Sequence, residues 1–182
     1  MIHHNAPLRD PAAFAQLFEH FHLAVFRFVY GLSGWPLPEV EDITAETFMR
    51  AWKARAHFEG DEQAALGWLL TIARRLVIDT SRRKKVRHHE QATQPEDWYE
   101  FYPTNQEDNP EWIAIRQEQD KTLLDLLSTL TTGQRDLLVL RYILGWQVKQ
   151  IAAHMSLSEN TTSVYIRRAI EQLRRHWPIE DK

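Results

Sequence analysis

The 182-residue chain contains no cysteine. That single absence excludes a disulfide framework, thiolate zinc sites and cysteine nucleophiles. No uninterrupted apolar run approaches the roughly 18 residues that a membrane span needs. The first residues lack a basic segment followed by an apolar stretch, so no secretory signal is expected and the expected location is cytoplasmic. Histidines occur as His3-His4 and His88-His89, but none lies four residues from another on a helix beside a suitable carboxylate, as a zinc hydrolase motif demands. No catalytic residue, metal or cofactor is therefore expected. What remains is ordinary globular material: 43% hydrophobic and 26% charged residues, with 7 Trp, 8 Phe and 5 Tyr to fill cores.

The net charge of −3 conceals a strong partition. Residues 1–70 carry five Lys/Arg against nine Asp/Glu, a balance of −4. Residues 71–89 carry seven against one, or +6. Residues 90–120 carry one against nine, or −8, and residues 121–182 carry nine against six, or +3. Blocks of this size predict a basic surface for a polyanion, separated by an acidic connector. Their adjacency also predicts that the acidic block screens the basic faces in the free protein.

Apolar spacing is helical nearly throughout, and no segment alternates with strand period. The fold class expected is all-α: two helical domains joined by an acidic linker. Asp10-Pro11 opens the first helix as a cap followed by proline. Its stripe is Phe14, Leu17, Phe18, Phe21, Val25, Phe28, Val29 and Leu32, and Gly31, Gly34, Trp35, Pro36 and Pro38 end it. Helical spacing makes this aromatic stripe core, not a cofactor box. A second helix is expected from about Glu39 to His57, with Val40, Ile43, Thr47, Phe48, Ala51 and Trp52 on one side. After Phe58-Glu59-Gly60-Asp61, a third is capped by Asp61, turns Leu66, Leu69, Ile72, Ala73, Leu76 and Val77 inward, and ends in Arg82-Arg83-Lys84-Lys85-Val86-Arg87.

Residues 90–110 lose that periodicity. Pro95, Pro103 and Pro110 punctuate an acidic stretch that reads as a linker between domains 1–89 and 111–182. Trp98, Tyr99, Phe101 and Tyr102 are more aromatic material than an inert spacer needs, so part of it is expected to dock. The C-terminal domain reads as helices near 111–130, 134–143, 147–155 and 159–176.

Gln147 to Leu173 carries the sharpest local pattern: helix, tight turn, helix. Val148, Ile151, Ala152 and Met155 face inward, Leu157 plugs the turn, and Ser158 caps the second helix. Projected at 100° per residue, Thr162, Ile166, Ala169, Ile170 and Leu173 share one arc. Asn160, Val164, Arg167, Glu171 and Arg174 fall opposite, with Ser163 at the edge, and Arg168 and Arg175 lie on a flank. Such a helix suits the major groove, where Asn and Arg meet base edges, Val164 a thymine methyl, and flanking arginines the phosphates. A helical hairpin with a solvated polar face has the same spacing. On the third helix, Arg74, Arg75, Arg82 and Lys85 share an arc that contains Ile78. An apolar wedge among arginines belongs to proteins that open DNA, and cations at a helix C-terminus also simply favour its dipole.

Three motifs in order carry a family resemblance. They are Val40-Glu41-Asp42-Ile43-Thr44-Ala45-Glu46-Thr47-Phe48-Met49-Arg50-Ala51-Trp52; then Trp68-Leu69-Leu70-Thr71-Ile72-Ala73-Arg74-Arg75-Leu76-Val77-Ile78-Asp79 with the arginines after it; and Leu130-Thr131-Thr132-Gly133-Gln134-Arg135-Asp136 through Arg141-Tyr142, Gly145, Ile151-Ala152 and Arg168-Ala169. The chain resembles the sigma subunits of bacterial RNA polymerase, in the two-domain extracytoplasmic-function (ECF) group, over about residues 11–88 and 120–175. The resemblance implies a protein that binds core RNA polymerase and directs promoter recognition, DNA melting and transcription initiation. It implies polymerase contacts at Glu41, Asp42, Glu46, Thr47, Phe48, Arg50 and Trp52. Minus-ten DNA contacts fall on Phe58, Glu59, Gly60, Asp61, Arg74, Arg75, Ile78, Arg82 and Arg83. Minus-thirty-five contacts fall on Asn160, Thr161, Ser163, Val164, Arg167 and Arg168. An anti-sigma protein is a possible further partner in this family, and no membrane insertion is implied. Departures are Ala45 where the family has Gln, Arg75 for Asn, Gln150 for Glu, Ser156 for the turn glycine and Tyr165 for a frequent Arg. The alternative is a free-standing helix-turn-helix regulator whose N-terminal domain dimerises or senses a ligand.

Overall fold

Asp10 starts the first helix as the sequence predicts. In the computed structural model, which describes residues 8, 10–87 and 122–176 (without the side chains at 62, 63 and 85–87), its carboxylate accepts from the Ala12 amide at 3.2 Å. Helix α1 runs Pro11–Ser33 and buries Phe14, Leu17, Phe21, Val25, Phe28, Val29 and Leu32. Phe18 departs from the expected stripe. It is 42% exposed, because it stands 100° beyond Leu17 at the stripe's edge. Gly31 does not end the helix but lies buried within it, and the stop is Gly34, at φ 61°. Its N–H reaches the Tyr30 carbonyl at 2.8 Å, a left-handed cap that glycine adopts without steric cost.

Helix α2 spans Leu37–Ala54, beginning before Glu39 because proline is tolerated in a first turn, where Pro38 sits. It buries Val40, Ile43, Thr44, Thr47, Phe48 and Ala51. A 3-10 turn over Arg55–His57 replaces the last helical turn expected there. Asp61 then caps α3, Glu62–Arg87, accepting the Ala64 amide on its side chain at 2.8 Å and the Ala65 amide on its carbonyl at 2.9 Å. Leu69, Leu70, Ala73, Leu76 and Val77 are buried, while Leu66 and Ile72, expected inward, are half-buried. Each of α1, α2 and α3 packs on the other two.

A separate compact unit is formed by the described residues of the C-terminal half. A helix over 122–128, α4, leads to α5, Thr132–Leu138, which Thr131 opens with a reciprocal capping box to Gln134. Arg135 turns back to α4: its guanidinium donates to the carbonyls of Leu127 at 2.8 Å, Ser128 at 3.2 Å and Leu130 at 3.4 Å. Burial lowers the pKa of this guanidinium, and the neighbouring Asp136 carboxylate opposes that shift. Where the sequence predicts one helix over 134–143, the chain passes from α5 into a π-helical turn, Val139–Ile143. The Leu144 amide bonds the Val139 carbonyl at 3.0 Å, one residue further back than an α-helix would. Helix α6 is Val148–Met155 and α7 is Glu159–His176, and α7 packs on both α5 and α6. Trp146, Leu137, Leu140, Ile151, Ile166 and Ala169 are buried in this unit. The expected linker 90–110, its aromatics, the terminal and linker histidine pairs and the start of the helix near 111 lie outside the described residues.

Candidate functional site

Three surfaces collect the residues singled out by sequence. On α2, Glu41, Asp42, Ala45, Met49 and Arg50 are exposed along one strip. Glu46 and Arg50, one turn apart, form an ion pair at 2.7 Å. Met49 is 53% exposed; sequence reasoning passed over it, although it continues the spacing of Glu41 and Ala45. Two candidates are moved off the surface. Thr47 has no exposed area and its hydroxyl donates to the Ile43 carbonyl at 2.7 Å. Phe48 is also buried, edge-on to Phe18 at 4.8 Å. Phe48 packs α2 on α1 and Thr47 is satisfied within α2 itself, so the strip on the opposite side faces out. Trp52 is half-buried and largely engaged. Phe14 meets it edge-on at 5.1 Å, the Arg55 guanidinium lies 3.4 Å over its ring, and Arg55 also donates to the Trp52 carbonyl at 2.6 Å.

The second surface joins the loop before α3 to the far end of that helix. Phe58 stacks on Trp68 at 4.9 Å and 30°, so Trp68 shapes the loop although sequence reasoning did not place it there. Gly60 lies at φ 158°, and a Cβ on it would come within 2.7 Å of the Ala64 Cβ. Asp61 is committed to capping, and Glu59 is exposed. Arg75, Arg82 and Arg83 are exposed, whereas Arg74 and Ile78 are half-buried. Ile78 is thus not the fully exposed wedge that its position in the basic arc predicts. Lys84, in the middle of the basic run, ion-pairs with Glu39, and its ammonium lies 4.3 Å from the Trp35 ring centre.

The third surface is α7, presented by a turn whose geometry the sequence partly announces. Ser156 adopts φ 55° and ψ 42°. The Leu157 amide reaches the Ala152 carbonyl at 2.8 Å and the Ser156 amide the Ala153 carbonyl at 3.3 Å, the paired bonds of a Schellman stop with serine in glycine's place. Ser158 caps α7 as expected, accepting the Thr161 amide at 3.1 Å. The Thr161 hydroxyl is engaged with the Ser158 hydroxyl at 2.8 Å, so Thr161 serves the cap. Thr162, Ile166 and Ala169 are buried. Asn160, Ser163, Arg167 and Arg168 are exposed and Val164 is half-buried, which leaves the N-terminal half of α7 free along one side. Tyr165 is exposed as well.

Two family models match, Sigma-70 region 2 over residues 17–87 and Sigma-70 region 4 over residues 120–173. The chain belongs to the ECF group of RNA polymerase sigma factors. It is a protein that binds RNA polymerase and recognises promoters. Among curated relatives, it is 26% identical over 167 residues to the ECF RNA polymerase sigma factor SigX of Bacillus subtilis, covering 91% of this chain and 84% of that one. It is 25% identical over 171 residues to the ECF RNA polymerase sigma factor SigL of Mycobacterium tuberculosis, covering 93% and 92%. The solved sigma factor RpoE of Bartonella quintana, in complex with the anti-sigma factor NepR, shares the fold with a TM-score of 0.66 at 21% identity, over 92% of this chain and 98% of that one. The first two surfaces of this sigma factor fall within the region 2 match and the third within the region 4 match. Among the described residues, no helix is long and apolar enough to cross a membrane.

Proposed function

We propose that the three surfaces divide the work of a sigma factor among them. Residues 1–89 form the polymerase-binding and promoter-melting domain, 90–110 the linker, and 111–182 the minus-thirty-five domain. The α2 strip of Glu41, Asp42, Glu46, Met49 and Arg50 docks on core polymerase, with acid–base pairs fixing register and Met49 supplying apolar contact. Phe48, Thr47 and Trp52 support that strip from within. The Phe58–Asp61 loop and the α3 face with Arg74, Arg75, Ile78, Arg82 and Arg83 hold the minus-ten element. Flipping a base from the stack there costs a few kcal/mol, offset by phosphate and pocket contacts.

Helix α7 reads the minus-thirty-five duplex. Asn160, Ser163 and Arg167 point to base edges and Arg168 to phosphate. The observation that carries this reading is the exposed N-terminal half of α7, held by a buried opposite face and a capped turn. The chain performs no chemistry itself; the polymerase supplies it. Its place of action is the cytoplasm, with the polymerase, and an anti-sigma protein restrains it as one binds the Bartonella relative.

Pull-down with bacterial core polymerase, then transcription from pooled promoter fragments, tests the assignment. Stoichiometric binding with new start sites is expected, and the enriched fragments define the promoter sequence. Tight duplex binding with no core binding overturns it in favour of a free-standing regulator.

A further inference from the structure

The basic run after Ser81 is uniform in sequence and divided in space. Arg82 and Arg83 are exposed, while Lys84 turns back to Glu39, 45 residues earlier in the chain. The two side chains keep only 32% and 41% of their exposure. Trp35, between α1 and α2, supplies an aromatic face 4.3 Å from the same ammonium. Helical phase accounts for the division. Leu70, Val77 and Lys84 recur at sevens, so Lys84 continues the line of two buried residues. Seven residues at 100° return it to within about 20° of Val77. Arg82 and Arg83 then diverge from that line by about 140° and 120° on opposite sides.

No described residue of α3 beyond Val77 is fully buried. The helix therefore leaves its core roughly 10 Å before Lys84, at 1.5 Å per residue. Past that point, Lys84 ties α3 to the corner between α1 and α2. A lysine suits this edge position because its stem lies along apolar surface while its ammonium finds a carboxylate and a ring face.

We infer that Glu39, Lys84 and Trp35 form a latch that aims the promoter-facing arginines, with Lys84 a positioning residue and not a phosphate contact. The inference rests on the proposed minus-ten role of the α3 face. By holding the last turns of α3 in one direction, the latch fixes where Arg82 and Arg83 meet the DNA backbone as the strands separate.

The test uses reconstituted holoenzyme on a promoter it transcribes. Two quantities are read: the slope of log binding constant against log salt, and the fraction of complexes with unpaired thymines at the minus-ten element. Arg82→Gln and Arg83→Gln each reduce the magnitude of the salt slope by about one, as loss of a phosphate contact does. Lys84→Gln lowers the melted fraction several-fold and moves the slope no more than Glu39→Gln does. Glu39→Gln, which removes no cation, produces the same several-fold loss. The exchanged pair Glu39→Lys with Lys84→Glu restores melting to near the parent value, which a lost DNA contact would not permit. If Lys84→Gln reduces the slope by about one while Glu39→Gln is silent, Lys84 is itself a phosphate contact and the latch is overturned. If neither arginine substitution moves the slope, the assignment of the α3 face fails, and the latch with it.

Discussion

At Gly60, a side chain has nowhere to go. The backbone φ of 158° disfavours L-residues, and a Cβ would stand 2.7 Å from that of Ala64 and 3.1 Å from the Phe58 ring. Gly60→Ala is expected to cost about 1–3 kcal/mol, read as an earlier urea midpoint, with the Phe58–Trp68 stack displaced. On α7, residues of similar exposure separate by role. Asn160→Ala is expected to cost about 1–3 kcal/mol of discrimination at one base pair of the minus-thirty-five element. Arg168→Ala is expected to weaken binding evenly across sequences and reduce the salt slope by about one. Competition binding with single-base variants at several salt concentrations separates the two. Much of this was legible in sequence: a helical wheel alone sorts Asn160 and Arg167 from Thr162 and Ile166. Thr47 carried two readings, inward on the wheel and a contact in the family motif, and the structure buries it. Lys84 was hidden, since four consecutive cations look alike until the end of the core is located.

Among the elements, the turn between α6 and α7 carries a testable strain. Ser156 sits in the left-handed region, where a residue with a Cβ is disfavoured by about 1–2 kcal/mol relative to glycine. Part of that is returned by glycine's greater freedom in the unfolded chain. Ser156→Gly is therefore expected to stabilise the C-terminal unit by about 0.5–1 kcal/mol, seen as a later urea midpoint with unchanged promoter preference. The sequence already marked this residue, as a serine where the family has glycine, and it marked the Ser158 cap. It did not mark the bracing at the other end of the unit. Arg135 reaches three carbonyls at the end of α4, and Gln172 links α7 to Gln134 at 3.0 Å and to the Thr129 carbonyl at 2.9 Å. The Arg135 contacts cross the turn between two helices and the Gln172 contacts join residues about 40 apart in the chain, whereas periodicity reports only on neighbours within one helix.

For the whole molecule, charge distribution was the most readable property and contact the least. The block of −8 over residues 90–120 follows one of +6, so long-range repulsion between connector and DNA is expected to oppose binding by the free chain. Replacing the acids of 90–110 with their amides is expected to raise duplex affinity in the absence of polymerase, most strongly at low salt. Fluorescence anisotropy with a labelled promoter fragment measures it, and an unchanged affinity would sink the screening idea. The all-α class and the helix-turn-helix followed from apolar spacing. The exact helix ends did not, because proline, a 3-10 turn and a π-helical turn each shift a boundary without altering the apolar pattern.

The π-helical turn over Val139–Ile143 also affects how this chain is compared with others. It accommodates one residue more than an α-helical turn along the same stretch of axis. Against a homologue whose helix runs through without it, the two sequences fall out of step by a single position at this point. Every later residue, the exposed face of α7 included, then carries an offset of one in number without any offset in space. An alignment that leaves no gap here pairs Asn160 and Arg167 with the wrong partners, turning an insertion into an apparent change of promoter specificity.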